Sequence, residues 1–129
     1  MLKLTDMQQL YENVRSIALN FSDVYERDSH GAPCIFLDNK KPLCYFHNNR
    51  KGTSGTALWC PPPAGDSDDL VTAEPEKYSK PATSTAGAFS NWVCIKLDRE
   101  HLDWTEVATI LEAAFELNAT RQQLANYKQ

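Results

Sequence analysis

Asp28, Ser29 and His30 stand in consecutive positions, so a carboxylate, a hydroxyl and an imidazole lie together in the chain. A nucleophile and its base must meet at hydrogen-bond distance. Neighbouring side chains on an extended backbone point to opposite faces, so this triplet does not by itself assemble such a site. A turn histidine bonded to nearby backbone is the simpler reading of His30. His47 and His101 have no second ligand at metal spacing, and Cys34, Cys44, Cys60 and Cys94 form no Cys-x-x-Cys pair. Each cysteine sits beside apolar residues, which predicts reduced thiols packed as small hydrophobes and a cytoplasmic setting. Gly52-Thr53-Ser54-Gly55 lacks the Lys-Ser/Thr ending and the following helix of a phosphate-cradling loop, and reads as a hairpin turn. Asp66, Asp68 and Asp69 gather at a helix start, where the helix dipole favours negative charge. These residues give no catalytic constellation, no metal site and no cofactor, so the expectation is that the protein is not an enzyme.

The charge pattern is more informative. Residues 39–65 contain Lys40, Lys41, Arg50 and Lys51 and no acidic residue, in a chain of net charge −4. The rest of the chain is strongly acidic. A short block of opposite sign creates a local field that net charge hides, and it marks a candidate surface for a polyanion. Lys40, Lys41, Arg50, Lys51 and His47 are the candidate nucleic-acid-binding residues. The two cationic pairs fall at opposite ends of a predicted strand over 43–47, about 17 Å long at roughly 3.3 Å per residue. Tyr45, Phe46, His47 and Trp59 lie between them, and any ring facing outward can stack on a base. The competing reading is solvated loop charges, which guard a sheet against edge pairing, with the aromatics in the core. Four cations neutralise few phosphates, so any DNA binding is expected to be weak.

The elements that must position these residues follow from periodicity. Met7, Leu10, Tyr11, Val14, Ile17, Ala18 and Phe21 recur at steps of three and four, which predicts a helix opened by a Thr5–Gln8 capping box. Strands are predicted over 24–28, 34–37, 43–47 and 56–60, with turns at 29–33, 38–42 and 48–55. Pro61-Pro62-Pro63 ends the fourth strand, because a residue without an amide donor cannot sit in a central ladder. A short helix over 66–74 precedes a loop over 78–91. The next strand, 91–98, puts Val93, Ile95 and Leu97 on one face and Trp92, Cys94 and Lys96 on the other. Asp103-Trp104-Thr105-Glu106 is a second capping box, opening a helix with Val107, Ile110, Leu111, Ala114, Phe115 and Leu117 on its apolar face. The segment 120–129 is polar and reads as a fraying end. This order predicts one α+β domain over 1–129, an antiparallel sheet covered on one face by the N- and C-terminal helices. No apolar run approaches the roughly 20 residues of a membrane span, so no membrane partner is expected.

The ordered set of motifs resembles the MmcQ/YjbR family of small bacterial proteins. The resemblance runs from about Leu10 to Arg121. Its parts are the turn Ser29-His30-Gly31-Ala32-Pro33 before Cys34-Ile35-Phe36, the hairpin Asn39-Lys40-Lys41 before a strand ending in Tyr45-Phe46, and Leu58-Trp59. Asp69-Leu70-Val71, Glu74-Pro75 and Trp92-Val93-Cys94-Ile95-Lys96-Leu97-Asp98 complete it. Asn91 stands where the family has glycine before the tryptophan. The resemblance implies a CyaY-like fold, in which Gly31, Pro33 and Trp92 are turn and core positions. It also implies DNA binding through two β-hairpins that project as wings. The frataxin-like fold suggests iron, but the first helix has only Asp6 and Glu12 as carboxylates, not the dense ridge that iron needs. The alternative expectation is a non-catalytic module for a protein or small ligand, with the 78–91 loop as its contact.

Overall fold

A computed structural model describes residues 4–29, 32–48, 55–61, 66–81 and 92–128. Helix α1 (Leu4–Ala18) leads into strands β1 (Val24–Ser29), β2 (Ala32–Leu37), β3 (Pro42–Asn48) and β4 (Thr56–Cys60). Helix α2 (Asp66–Ala73), strands β5 (Tyr78–Ser79) and β6 (Val93–Lys96), and helices α3 (Trp104–Asn118) and α4 (Arg121–Lys128) complete the chain. The six strands form one antiparallel sheet in the order β1-β2-β3-β4-β6-β5. This is the α+β arrangement that segregated strands and flanking helices predict.

Strand alternation sorts the side chains onto two faces. Ile35, Leu37, Phe46, Leu58, Cys60, Val93 and Ile95 meet Val14, Ala18, Val107, Leu111, Ala114 and Phe115 from the helices and Phe21 from the connection after α1. Phe21 and Phe115 stack with ring centroids 4.8 Å apart, which ties the connection after α1 to α3; the helix ends at Ala18, short of the predicted Phe21. Each fully buried large apolar side chain of this layer contributes about 1.5–3 kcal/mol. The opposite face carries Cys34, Phe36, Tyr45, Ala57, Trp59, Trp92 and Cys94, all buried. The predicted division of β6 holds: Val93, Ile95 and Leu97 join the helical layer, and Trp92 and Cys94 join the second cluster.

Several local expectations change. The predicted loop over 78–91 begins instead with β5, where Tyr78 pairs with Ile95 and Ser79 with Cys94; residues 82–91 lie outside the described ones. The cap of α3 is half of a capping box. Asp103 accepts from the Thr105 amide at 2.9 Å, but Glu106 turns to the Tyr78 hydroxyl and the Lys77 ammonium. The desolvated phenol and a lysine give that carboxylate charge-assisted bonds that a single backbone amide does not match.

The C-terminal segment is helical rather than frayed. Thr120 Oγ1 accepts from the Gln123 amide at 3.1 Å, and Gln123 Oε1 accepts from the Thr120 amide at 2.8 Å. This reciprocal pair is a complete capping box. Tyr127 then closes on Phe21 and Phe115, with centroids at 5.2 and 5.3 Å.

Candidate functional site

The β2–β3 hairpin turns on a short loop. The Leu37 amide donates to the Lys41 carbonyl at 2.8 Å, and the Lys40 amide donates to the Leu37 carbonyl at 2.9 Å. Asp38, Asn39 and Lys40 therefore form a turn whose last residue must be left-handed to rejoin the strand. Lys40 has φ 71°. Glycine takes that conformation without cost, whereas a residue with a Cβ loses about 1 kcal/mol there. The other described non-glycine residues with positive φ are Asp23 and His101. Aspartate and histidine enter this region more readily than most residue types, so lysine is the exception.

Asn39 fixes the turn to the helices. Its Oδ1 accepts from the Lys41 amide at 3.1 Å, and its Nδ2 donates to the Asn118 carbonyl at 2.9 Å, at the end of α3. Nδ2 also reaches Gln123 Oε1 at 3.5 Å. The hairpin tip is thus seated on the α3–α4 junction, with Lys40 and Lys41 both exposed. Among the described residues, Arg15, Lys77 and Lys80 form ion pairs with carboxylates, whereas Lys40 and Lys41 have no carboxylate within 4.0 Å.

Arg50 and Lys51 lie outside the described residues. The β3–β4 connection that contains them leaves β3 at Asn48, the end opposite Pro42 and the lysine turn. Six residue steps separate those ends, about 20 Å. At the return into β4, the Asp98 carboxylate accepts from the Thr56 amide at 3.1 Å and packs against Gly55, so a negative charge stands beside that second connection.

His47 is not a surface residue. It is 4% exposed, parallel to Tyr45 at 5.8 Å and tilted against Trp59 at 4.2 Å. Tyr45, Phe46 and Trp59 are buried as well, so none of the four presents a free face for base stacking. The physical reason is that both faces of the sheet are buried at β3, leaving no solvent side for alternate residues. Trp92 is a core anchor against Tyr45, with centroids at 5.7 Å. Pro33 is half-buried and pairs with Asp28 across the first hairpin. Gly31 and His30 lie outside the described residues.

The cysteines are free thiols, all buried. Burial pushes the Cys34 thiol up to about 12 and pushes Cys44 and Cys60 up as well, which removes the reactive thiolate. A surface groove of about 390 Å³ runs along α1, lined by Glu12, Arg15, Ser16, Leu19 and Asn20. Its cation is already engaged, since Arg15 holds Glu26 at 2.8 Å and Glu12 at 3.4 Å. Leu19 is its one large apolar wall, far from the mostly apolar lining of a small-molecule pocket. Among the described residues, no group of three or more His, Cys, Asp or Glu side chains is placed to hold a metal ion. No described helix is long and apolar enough to cross a membrane.

Sequence reasoning located Lys40 and Lys41 but missed the clamp beneath them. Thr120-x-x-Gln123 is the capping signal that would have shown α4 and brought Arg121 into consideration.

No family model matches the chain, and no curated protein matches it. Among solved structures, the chain is similar to Deinococcus radiodurans protein DR2400, which carries a DUF419 domain. The likeness has a TM-score of 0.66 at 12% identity and covers 92% of this chain and 87% of that one. At that identity it speaks to architecture alone. The chain therefore shares its fold with a DUF419-domain structure: a six-stranded antiparallel sheet carrying its long helices on one face.

Proposed function

We propose that this protein is a non-catalytic binding module whose β2–β3 hairpin contacts the phosphate backbone of DNA. One observation carries the reading. Lys40 occupies a left-handed turn position where glycine is the least costly residue, and it holds an ammonium in solvent without a carboxylate partner among the described residues. Strain of this kind at an exposed turn is a pointer to function rather than to stability. Asn39 orients the tip, so the backbone that carries Lys40 and Lys41 is already set when they meet a ligand.

The contact is electrostatic and not base-specific. Phosphates fix position, while sequence is read by groups that reach base edges, and the aromatics near this tip are buried. With few cations the binding is weak and sensitive to salt. The test is retention on immobilised duplex DNA at low salt. A Lys40→Ala, Lys41→Ala, Arg50→Ala, Lys51→Ala variant is expected to lose retention. A variant that folds and elutes with the unmodified protein would refute the reading.

A further inference from the structure

We infer that Arg121 is the third cation of the hairpin contact, and that the surface is Lys40, Lys41 and Arg121 rather than the four basic residues that surround β3. The inference rests on the proposed phosphate contact and names the part of the molecule that makes it. Asn39 bonds to Asn118 on one side and approaches Gln123 on the other. Arg121 lies between those two contacts in the chain, in the first turn of α4. The α3–α4 junction thus carries Arg121 to the same end of the molecule as the lysine turn. Arg121 is exposed and, among the described residues, has no carboxylate within 4.0 Å. Helix α4 itself, Arg-Gln-Gln-Leu-Ala-Asn-Tyr-Lys, contains no acidic residue.

The position of α4 is set by independent contacts, so the arginine does not rest on one bond. The Thr120–Gln123 capping box starts the helix, Asn126 donates to the Asp23 carboxylate at 3.2 Å, and Tyr127 packs on Phe21 and Phe115. A guanidinium in this place suits a phosphate diester, whose paired oxygens accept two parallel N–H bonds. Asp38 in the turn and Asp23, whose backbone carbonyl accepts the Asp38 amide at 2.7 Å, are exposed carboxylates at this end and oppose the polyanion. They limit its affinity and give the site a second, opposite lever. Arg50 and Lys51 belong to the connection that leaves β3 at Asn48, the end opposite the lysine turn.

The experiment is fluorescence anisotropy of a labelled 20-base-pair duplex across a salt series. It compares the unmodified protein with Arg121→Ala, Lys40→Ala/Lys41→Ala, Arg50→Ala/Lys51→Ala and Asp38→Asn, each checked by thermal melting. Loss of one phosphate contact changes the slope of log K against log salt by about 0.9. Arg121→Ala is expected to weaken binding and flatten that slope by about one unit. Arg50→Ala/Lys51→Ala is expected to leave both unchanged, and Asp38→Asn to tighten binding. Unchanged affinity and slope in a folded Arg121→Ala protein, with binding lost in Lys40→Ala/Lys41→Ala, would overturn the inference and leave the hairpin reading standing. Full affinity in Lys40→Ala/Lys41→Ala, or no binding by the unmodified protein, would overturn both.

Discussion

Asn39 and Asn118, 79 residues apart in sequence, are joined by a 2.9 Å hydrogen bond from the Asn39 amide to the Asn118 carbonyl. That carbonyl belongs to the last turn of α3, where no later helical amide can satisfy it. One side chain therefore closes the end of a helix and sets the angle of a hairpin. Asn39→Ala is expected to lower stability by about 1–2 kcal/mol, the cost of one removed partner at a half-buried site. Denaturant unfolding checks the loss. Hydrogen exchange at the Lys41 amide, which donates to Asn39 Oδ1, should accelerate in the same variant.

Gly55 sets a second constraint. Its φ is +78°, and a Cβ built there would fall 2.2 Å from Asp98 Oδ2. That oxygen accepts the Thr56 amide, so moving it loses a strand-entry bond. Gly55→Ala is expected to cost at least about 1 kcal/mol from backbone conformation alone. Adding Asp98→Ala relieves the crowding but not the conformation, so the double variant should remain less stable than Asp98→Ala alone. Paired melting curves check the order.

The four thiols should be silent in the folded protein. All are buried, and desolvation holds Cys34 near 12 with Cys44 and Cys60 raised as well. A colorimetric thiol reagent at neutral pH should detect no rapid thiol under native conditions and four in denaturant. A fast-reacting native thiol would contradict the described packing of the sheet.

Two carboxylate–phenol pairs give the stability a defined pH dependence. The Arg15 guanidinium, then the Tyr11 hydroxyl, hold Glu26 below its ordinary range. A depressed carboxylate stabilises the fold above its unfolded value, and that contribution disappears as pH falls through the lower folded value. Tyr78 is raised by burial and by its bond to Glu106, and Tyr11 is raised by burial and by Glu26. Their contribution is complete below the ordinary phenol value of 10.0 and declines as pH rises past it. Glu26→Gln should flatten the acid limb of stability against pH and keep an alkaline limb set by Tyr78 and by the burial of Tyr11. Urea unfolding across the pH range, with tyrosinate absorbance on the alkaline side, checks both limbs.

Much of the architecture was legible because apolar spacing is a local signal. The stripe from Leu10 to Ala18 wrote α1, and the alternation of Trp92, Val93, Cys94 and Ile95 wrote the two faces of β6. What spacing cannot show is which strand faces are dry. The alternation around Tyr45, Phe46 and His47 fits a half-exposed strand equally well, and only the assembled sheet shows both faces buried there. The candidate surface was legible as charge, at Lys40 and Lys41, but not as geometry. The Asn39–Asn118 bond is a long-range pairing with no local signature. Arg121 was hidden in a polar segment whose Thr120–Gln123 cap is the single local sign of a helix.

The central claim is tested most directly by retention of a Lys40→Gly protein on duplex DNA at low salt. Glycine relieves the left-handed backbone at φ 71°, so the fold should be as stable or more so while the ammonium is gone. An unchanged or raised melting temperature together with earlier elution is the predicted result. Elution at the position of the unmodified protein would contradict the claim that this lysine is held in its turn to meet a phosphate.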